Sequence, residues 1–262
     1  DSGMITHHKV INTLREHGWD LSIAPYYYDN INNTVREIDL IAEKQFNSSE
    51  MRHGSTVQVN AQLFIECKYI KQEIVFWFDN KNIDGAVEKL EKDTDLRILH
   101  KRSGADLAMD ELHYLSKDQV AKLFSTNTNK EDVIYKAISQ CLNSKIYYDQ
   151  WFHRPIYNEF YEHQEADTSF LKYPVIICDK FSNFFKAEFN GDKYSYEPMK
   201  DNFQLEINYT FLDKTKTKSQ ADIFLIDMVN FDNLIPLLER IEKEVKSIVH
   251  AKSLKAYSTM RS

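Results

Sequence analysis

Glycine and proline are scarce, with six and five copies in 262 residues. So little of the chemistry of loose chain argues against a long flexible linker between separately folded parts. Cysteine is scarcer still. Cys67, Cys141 and Cys178 are odd in number, lie in apolar or helical surroundings and show no ligand spacing. That fits reduced thiols and excludes a disulfide framework or a cysteine-based zinc site. No apolar run approaches the ~20 residues a membrane helix needs, and no signal peptide is read before the first helix. The expectation is a cytoplasmic chain without membrane contact. A Gly-rich phosphate loop is missing, which argues against ATP hydrolysis, and no repeat stands out. Positive charge is also in deficit, since 33 Lys and Arg face 40 Asp and Glu for a net charge of −7. A protein living by non-specific phosphate contacts is usually basic, so any grip on nucleic acid here needs locally concentrated cations.

What the chain does have is a series of strand-length apolar segments between amphipathic helices, and enough length to bury a proper core. Val10, Ile11 and Leu14 give helical spacing over about 5–17, and Gly18 stands where a C-terminal cap belongs. Three strands follow, over 19–28, 35–43 and 57–69, most simply as an antiparallel meander. Ile74 to Phe78 is a fourth apolar run. Helices are expected over about 83–95, 117–124 and 131–142. Pro174 to Asp179 reads as a buried central strand. Strands over 184–189, 203–212 and 221–229 precede a closing helix over 234–249, and Ser253 to Ser262 reads as a loose basic tail. The fold class is α/β: a mixed central sheet flanked by helices, with additional C-terminal strands and a helix. It reads as a single domain over 1–262, with a core motif region at 4–80, a polar helical insertion at about 81–145, and the remaining strands and closing helix over 170–250.

Two segments carry charge where a buried strand should not: Glu37-Ile38-Asp39-Leu40-Ile41 and Leu63-Phe64-Ile65-Glu66-Cys67-Lys68-Tyr69. Residues two apart on a strand point the same way, so Glu66 and Lys68 share one face while Leu63, Ile65 and Cys67 share the other. The same parity puts Glu37, Asp39, Ile41 and Glu43 together. If the segments pair, two carboxylates and one ammonium converge at a sheet edge. An acidic-x-Lys pattern alone is cheap; it recurs at Asp79-Asn80-Lys81 and at Glu244-Val245-Lys246. Its setting in an apolar strand, with an Asp-bearing apolar strand upstream, distinguishes the copy at Glu66. The plain alternative is an exposed ion pair on an edge strand.

The order of helix, three strands, helices and apolar strand resembles the PD-(D/E)xK nuclease superfamily, the restriction-endonuclease-like fold. The residues carrying the resemblance are Ile38-Asp39-Leu40-Ile41 and Phe64-Ile65-Glu66-Cys67-Lys68-Tyr69, the latter most similar to Mrr-like and related restriction and defence nucleases. It covers the first 80 or so residues well and the Pro174 strand loosely. Ile38 stands where many members carry a proline. The resemblance implies a nuclease hydrolysing DNA with Mg²⁺, or Mn²⁺ as substitute, in restriction or antiphage defence. Asp39 and Glu66 would bind the metal, the Cys67 backbone carbonyl would be a further ligand, and Lys68 would orient or deprotonate the water or stabilise the phosphorane. His8 and Glu16 are its candidates for an auxiliary residue on the first helix, and Gln140 for one on a later helix. It leaves room for a homodimer or a protein partner in a defence system, and for an inactive nuclease-fold module that binds nucleic acid or a protein.

Other candidates are weaker. His7 and His8 point to different helix faces, so a shared metal is not expected and a surface role is. Lys214, Lys216 and Lys218 alternate in a hairpin loop, either a solvated turn or a grip on backbone phosphates. Arg97, Lys101 and Arg102 form a second basic group.

Overall fold

A left-handed glycine ends the first helix: Gly18 has φ of 73°, and the chain turns from α1 (Ser2–Glu16) into β1 (Asp20–Ile23). A small hairpin of β2 (Tyr26–Asp29) and β3 (Thr34–Glu37) follows, then β4 (Leu40–Asn47), β5 (Val57–Lys68) and β6 (Ile74–Asn80). Next come α2 (Ile83–Thr94), β7 (Gln119–Thr126) and α3 (Val133–Trp151). The chain closes with β8 (Asp167–Cys178), β9 (Phe184–Asn190), β10 (Lys193–Pro198), β11 (Phe203–Leu212), β12 (Ser219–Asn230) and α4 (Leu234–Thr259). The structure, a computed structural model, describes residues 2–48, 57–94, 96, 111–126, 133–151, 167–190, 193–213, 215 and 217–259. Among them no helix is long and apolar enough to cross a membrane.

The protein is mixed α/β, with a ten-stranded sheet in the order β1-β4-β5-β8-β12-β11-β7-β6-β9-β10 and β2-β3 as a separate pair. β4 is antiparallel to β1 and β5, whereas β8 runs parallel to β5 along twelve residue pairs. The sheet narrows at the next step, where β8 and β12 pair over four residues only, from Val175↔Asp227 to Cys178↔Asn230. α1, α2 and α4 pack on one face through Val10, Leu14, Leu90, Leu238 and Ile241, against Leu63, Ile65, Tyr173 and Val175. α3 covers the other face with Ile134, Ile138 and Cys141 against Ile176, Ile226 and Phe203. A third cluster of Tyr27, Ile38, Ile41, Phe64 and Tyr148 joins the small hairpin to that second face.

Four expectations need correction. The segments 19–28 and 35–43 are each two strands, because the chain leaves the main sheet at Ala24, where φ is 53°, and returns at Asp39. The exit is stitched to the return by Ala24 N–H donating to the Asp39 carbonyl at 2.9 Å and Ile38 N–H to the Pro25 carbonyl at 3.2 Å. Asp39 therefore sits in the bend before β4, and Ile38 and Ile41 share a cluster that strict alternation would divide. The helix expected at 117–124, inside the supposed helical insertion, is strand β7, since β6 offers it a ladder from Phe76↔Phe124 to Asn80↔Gln119; pairing of that kind outweighs local preference. The basic tail is helical to Thr259, anchored where buried Lys252 donates to the Ser169 hydroxyl at 2.6 Å. Finally, Glu66 and Lys68 do not lie on an edge strand, because β5 is flanked by β4 and β8.

Candidate active site

The register Leu40↔Ile65 brings the bend at Asp39 alongside the last residues of β5. The two are bonded there, with Cys67 N–H donating to Asp39 Oδ2 at 2.7 Å and Asp39 N–H to Glu66 Oε1 at 3.4 Å. Lys68 Nζ donates to Glu66 Oε2 and stands 3.7 Å from Asp39 Oδ2. Two carboxylates and one ammonium thus meet at the C-terminal end of β5. N–H and C=O of one strand residue point the same way across a sheet, so the Cys67 carbonyl also faces the Asp39 side.

Burial grades across the cluster. The Glu66 side chain is 0% exposed, Lys68 18% and Asp39 32%. Glu66 lies on the α3 face of β5 with Phe64, whose ring meets Tyr148 at 5.6 Å between centroids. Loss of water there pushes the Glu66 carboxyl up to about 7; Lys68 pulls it down and Asp39 adds to the rise. Burial works against the charge of Lys68, yet the two carboxylates outweigh it and raise its pKa. Burial also raises the Cys67 thiol, ahead of the neighbouring Asp39, and leaves it a poor nucleophile at neutral pH. An exposed edge pair does not account for a carboxylate held wholly out of water.

The remaining nominated residues scatter. Gln140 on α3 donates to the Glu37 carbonyl at 3.3 Å, two residues before Asp39, and so stands at the rim. His8 is exposed, its Nε2 3.1 Å from the amide nitrogen of Asn12 on the same helix. Glu16 is exposed in the last turn of α1, about 14 Å along the axis from His7 by helical rise. Lys218 is exposed in the turn before β12. It lies at the opposite end of that strand from Asn230, which aligns through Cys178 with Lys68; the separation is about 40 Å by strand rise. Lys214, Lys216, Arg97, Lys101 and Arg102 lie outside the described residues.

Three contributors were missed. His7, expected at the surface, places Nε2 3.3 Å from the Asp39 carbonyl, so that carbonyl is held by His7 as well as by Ala24. Its position one turn before Ile11, which packs into the core, is the signal that could have found it. Asp179 follows β8, donates its N–H to the Lys68 carbonyl at 3.2 Å, and its carboxylate meets Thr6 and Lys9 of α1 at 3.4 and 3.6 Å. The Cys141 thiol donates to the Phe64 carbonyl at 3.3 Å and ties α3 to β5. Nothing local in the sequence marks these last two.

Two carboxylates and a main-chain carbonyl are hard oxygen donors, a set that fits Mg²⁺, which keeps several waters and takes few protein ligands. No group of three or more His, Cys, Asp and Glu side chains able to hold a metal occurs among the described residues. No family model matches the chain, and neither a curated protein nor a solved structure does.

Proposed function

We propose that the protein is a Mg²⁺-dependent nuclease of the PD-(D/E)xK kind that hydrolyses phosphodiester bonds in DNA. One observation carries the reading: fully buried Glu66 is bonded to Lys68 and to the main chain of Asp39 at the end of an interior strand. A carboxyl raised by desolvation beside a specific charge partner marks a candidate reactive site. The antiparallel trio β1, β4 and β5 behind α1, with α3 and the apolar strand β8 following after further elements, supports it as the kind of order on which the resemblance rests. Exposed Lys71 and Lys180 follow the C-terminal ends of β5 and β8, three residues past Lys68 and two past Cys178. Lys71 and Lys180 offer local positive charge there, while Lys9 is already paired with Asp179.

Asp39 and Glu66 would hold the cation, with the Cys67 carbonyl beside them. The bound ion supplies positive charge to the scissile phosphate and lowers the pKa of the attacking water. Lys68, kept as an ammonium by Glu66, orients that water or stabilises the phosphorane. His7 and Ala24 act as positioning residues, pinning the carbonyl of Asp39.

Purified protein should cut DNA in Mg²⁺ or Mn²⁺ and not in a chelator. Lys68→Ala or Asp39→Ala should reduce cleavage by two or more orders of magnitude while circular dichroism stays native. Full cleavage by the Lys68→Ala protein would overturn the assignment. DNA retained but left uncut with every divalent ion tried would point instead to an inactive binding module.

A further inference from the structure

β10 is the last strand of the ten-stranded sheet, bonded to β9 on one side, and no described strand lies on its other side. Tyr194 to Pro198 are exposed throughout. Tyr194 and Tyr196, 64% and 51% exposed, stand on one face with ring centroids 5.6 Å apart. An open edge turns main-chain N–H and C=O groups outward and is a template for one more strand. Pro198, without an N–H, stops such pairing at the end of β10 and leaves 193–197 available for it.

The strand that fits this edge is its own copy. A two-fold axis normal to a sheet pairs an edge strand antiparallel with itself and keeps like faces together. Centred on Ser195, the run Lys193-Tyr194-Ser195-Tyr196-Glu197 sets Tyr194 opposite Tyr196 and Lys193 opposite Glu197 on both sides of the axis. Directly opposed residues have Cβ atoms ~5 Å apart, close enough for aromatic pairs and for ions of opposite sign. Sliding by two residues either way sets Ser195 opposite Glu197 or Lys193, and both ion pairs are lost. β1, at the other edge of the sheet, has Asp20 as its one charged residue and no such complement. We propose that the protein forms a two-fold dimer in which the β10 strands of two copies pair about Ser195 and join their sheets into one.

So short a strand pair buries less than the ~1,200 Å² of a standard interface, so the dimer is weak, with a Kd of roughly 10–100 µM. Sedimentation equilibrium on the full chain should show it. The β10 amides should exchange as a bare edge in dilute monomer and slow as concentration rises through that range. Glu197→Lys and Lys193→Glu each set like charges opposite one another on both sides of the axis. Each should weaken the dimer about tenfold or more, with native circular dichroism. Within one chain, positions 193 and 197 lie about 13 Å apart along the strand, so one change repairs the other only across the two-fold axis. Mixed in equal amounts, the two variants should therefore associate as tightly as the parent, each lysine meeting a glutamate. Lys68→Ala should dimerise as the parent does, since the contact lies at the far edge of the sheet from β5. The proposal is overturned by a chain still monomeric at ~0.5 mM, by single variants that dimerise as the parent does, or by a mixture that associates no more tightly than either variant alone.

Discussion

Glu66 can stand beside Lys68 or, with its carboxyl raised to about 7, take a proton at little cost near neutrality. For that reason Lys68→Ala should fold: the carboxyl left behind neutralises itself and does not remain a bare buried charge. Asp149 behaves in the opposite way. Desolvation works to raise it, but Lys145 at 2.6 Å and Lys172 at 2.8 Å, both buried, hold it down at about 2 from an ordinary 3.8. A carboxyl lowered on folding stabilises fully above its unfolded value and loses that contribution as pH falls through the folded one. Urea titrations across pH should therefore show Asp149→Asn to be the less stable protein at pH 7. Its stability should also fall less steeply than the parent's between about pH 4 and 2. Equal slopes would mean that Asp149 is not held by its lysines in solution.

Elements end where backbone chemistry makes them end. A Cβ built on Gly18 comes no closer than 3.8 Å to the Lys44 ammonium, so space is available there, yet φ of 73° strains any L side chain. Gly18→Ala should cost about 1 kcal/mol by chemical denaturation through backbone strain alone. The cap was legible because glycine after an amphipathic stretch has one common use. The pairing of the Asp39 and Glu66 segments was legible too, since charges set in apolar strands need partners alongside them. The exit of β2 and β3 from the sheet was not, because it turns on Ala24, a residue with no propensity for positive φ. β7 was misread since 117–124 carries apolar residues at spacings that suit helix and strand alike, and only its partners decide. Asp179 and Cys141 reach the site through contacts between elements far apart in the chain, which no local pattern encodes.

Across the whole molecule, long ladders alternate with short seams. β5 and β8 pair over twelve residues and β11 and β12 over ten, whereas β8 meets β12 over four and β11 meets β7 at Leu205↔Ala121. Hydrogen exchange should follow that pattern. The amides of β5 and of the C-terminal half of β8 should exchange slowest, and those of β10 and the β2–β3 hairpin orders of magnitude faster; uniform protection would contradict it. The position of β5 also governs what can be removed from the chain. Glu66 and Lys68 belong to the first 80 residues, but their lateral neighbours Ile176 and Cys178 arrive about 110 residues later. A fragment ending at Asn80 would contain both motifs that carry the nuclease resemblance and still leave the β8 side of β5 as an open edge. Such an edge recruits other chains, so the shortened protein is expected to aggregate rather than yield a minimal enzyme.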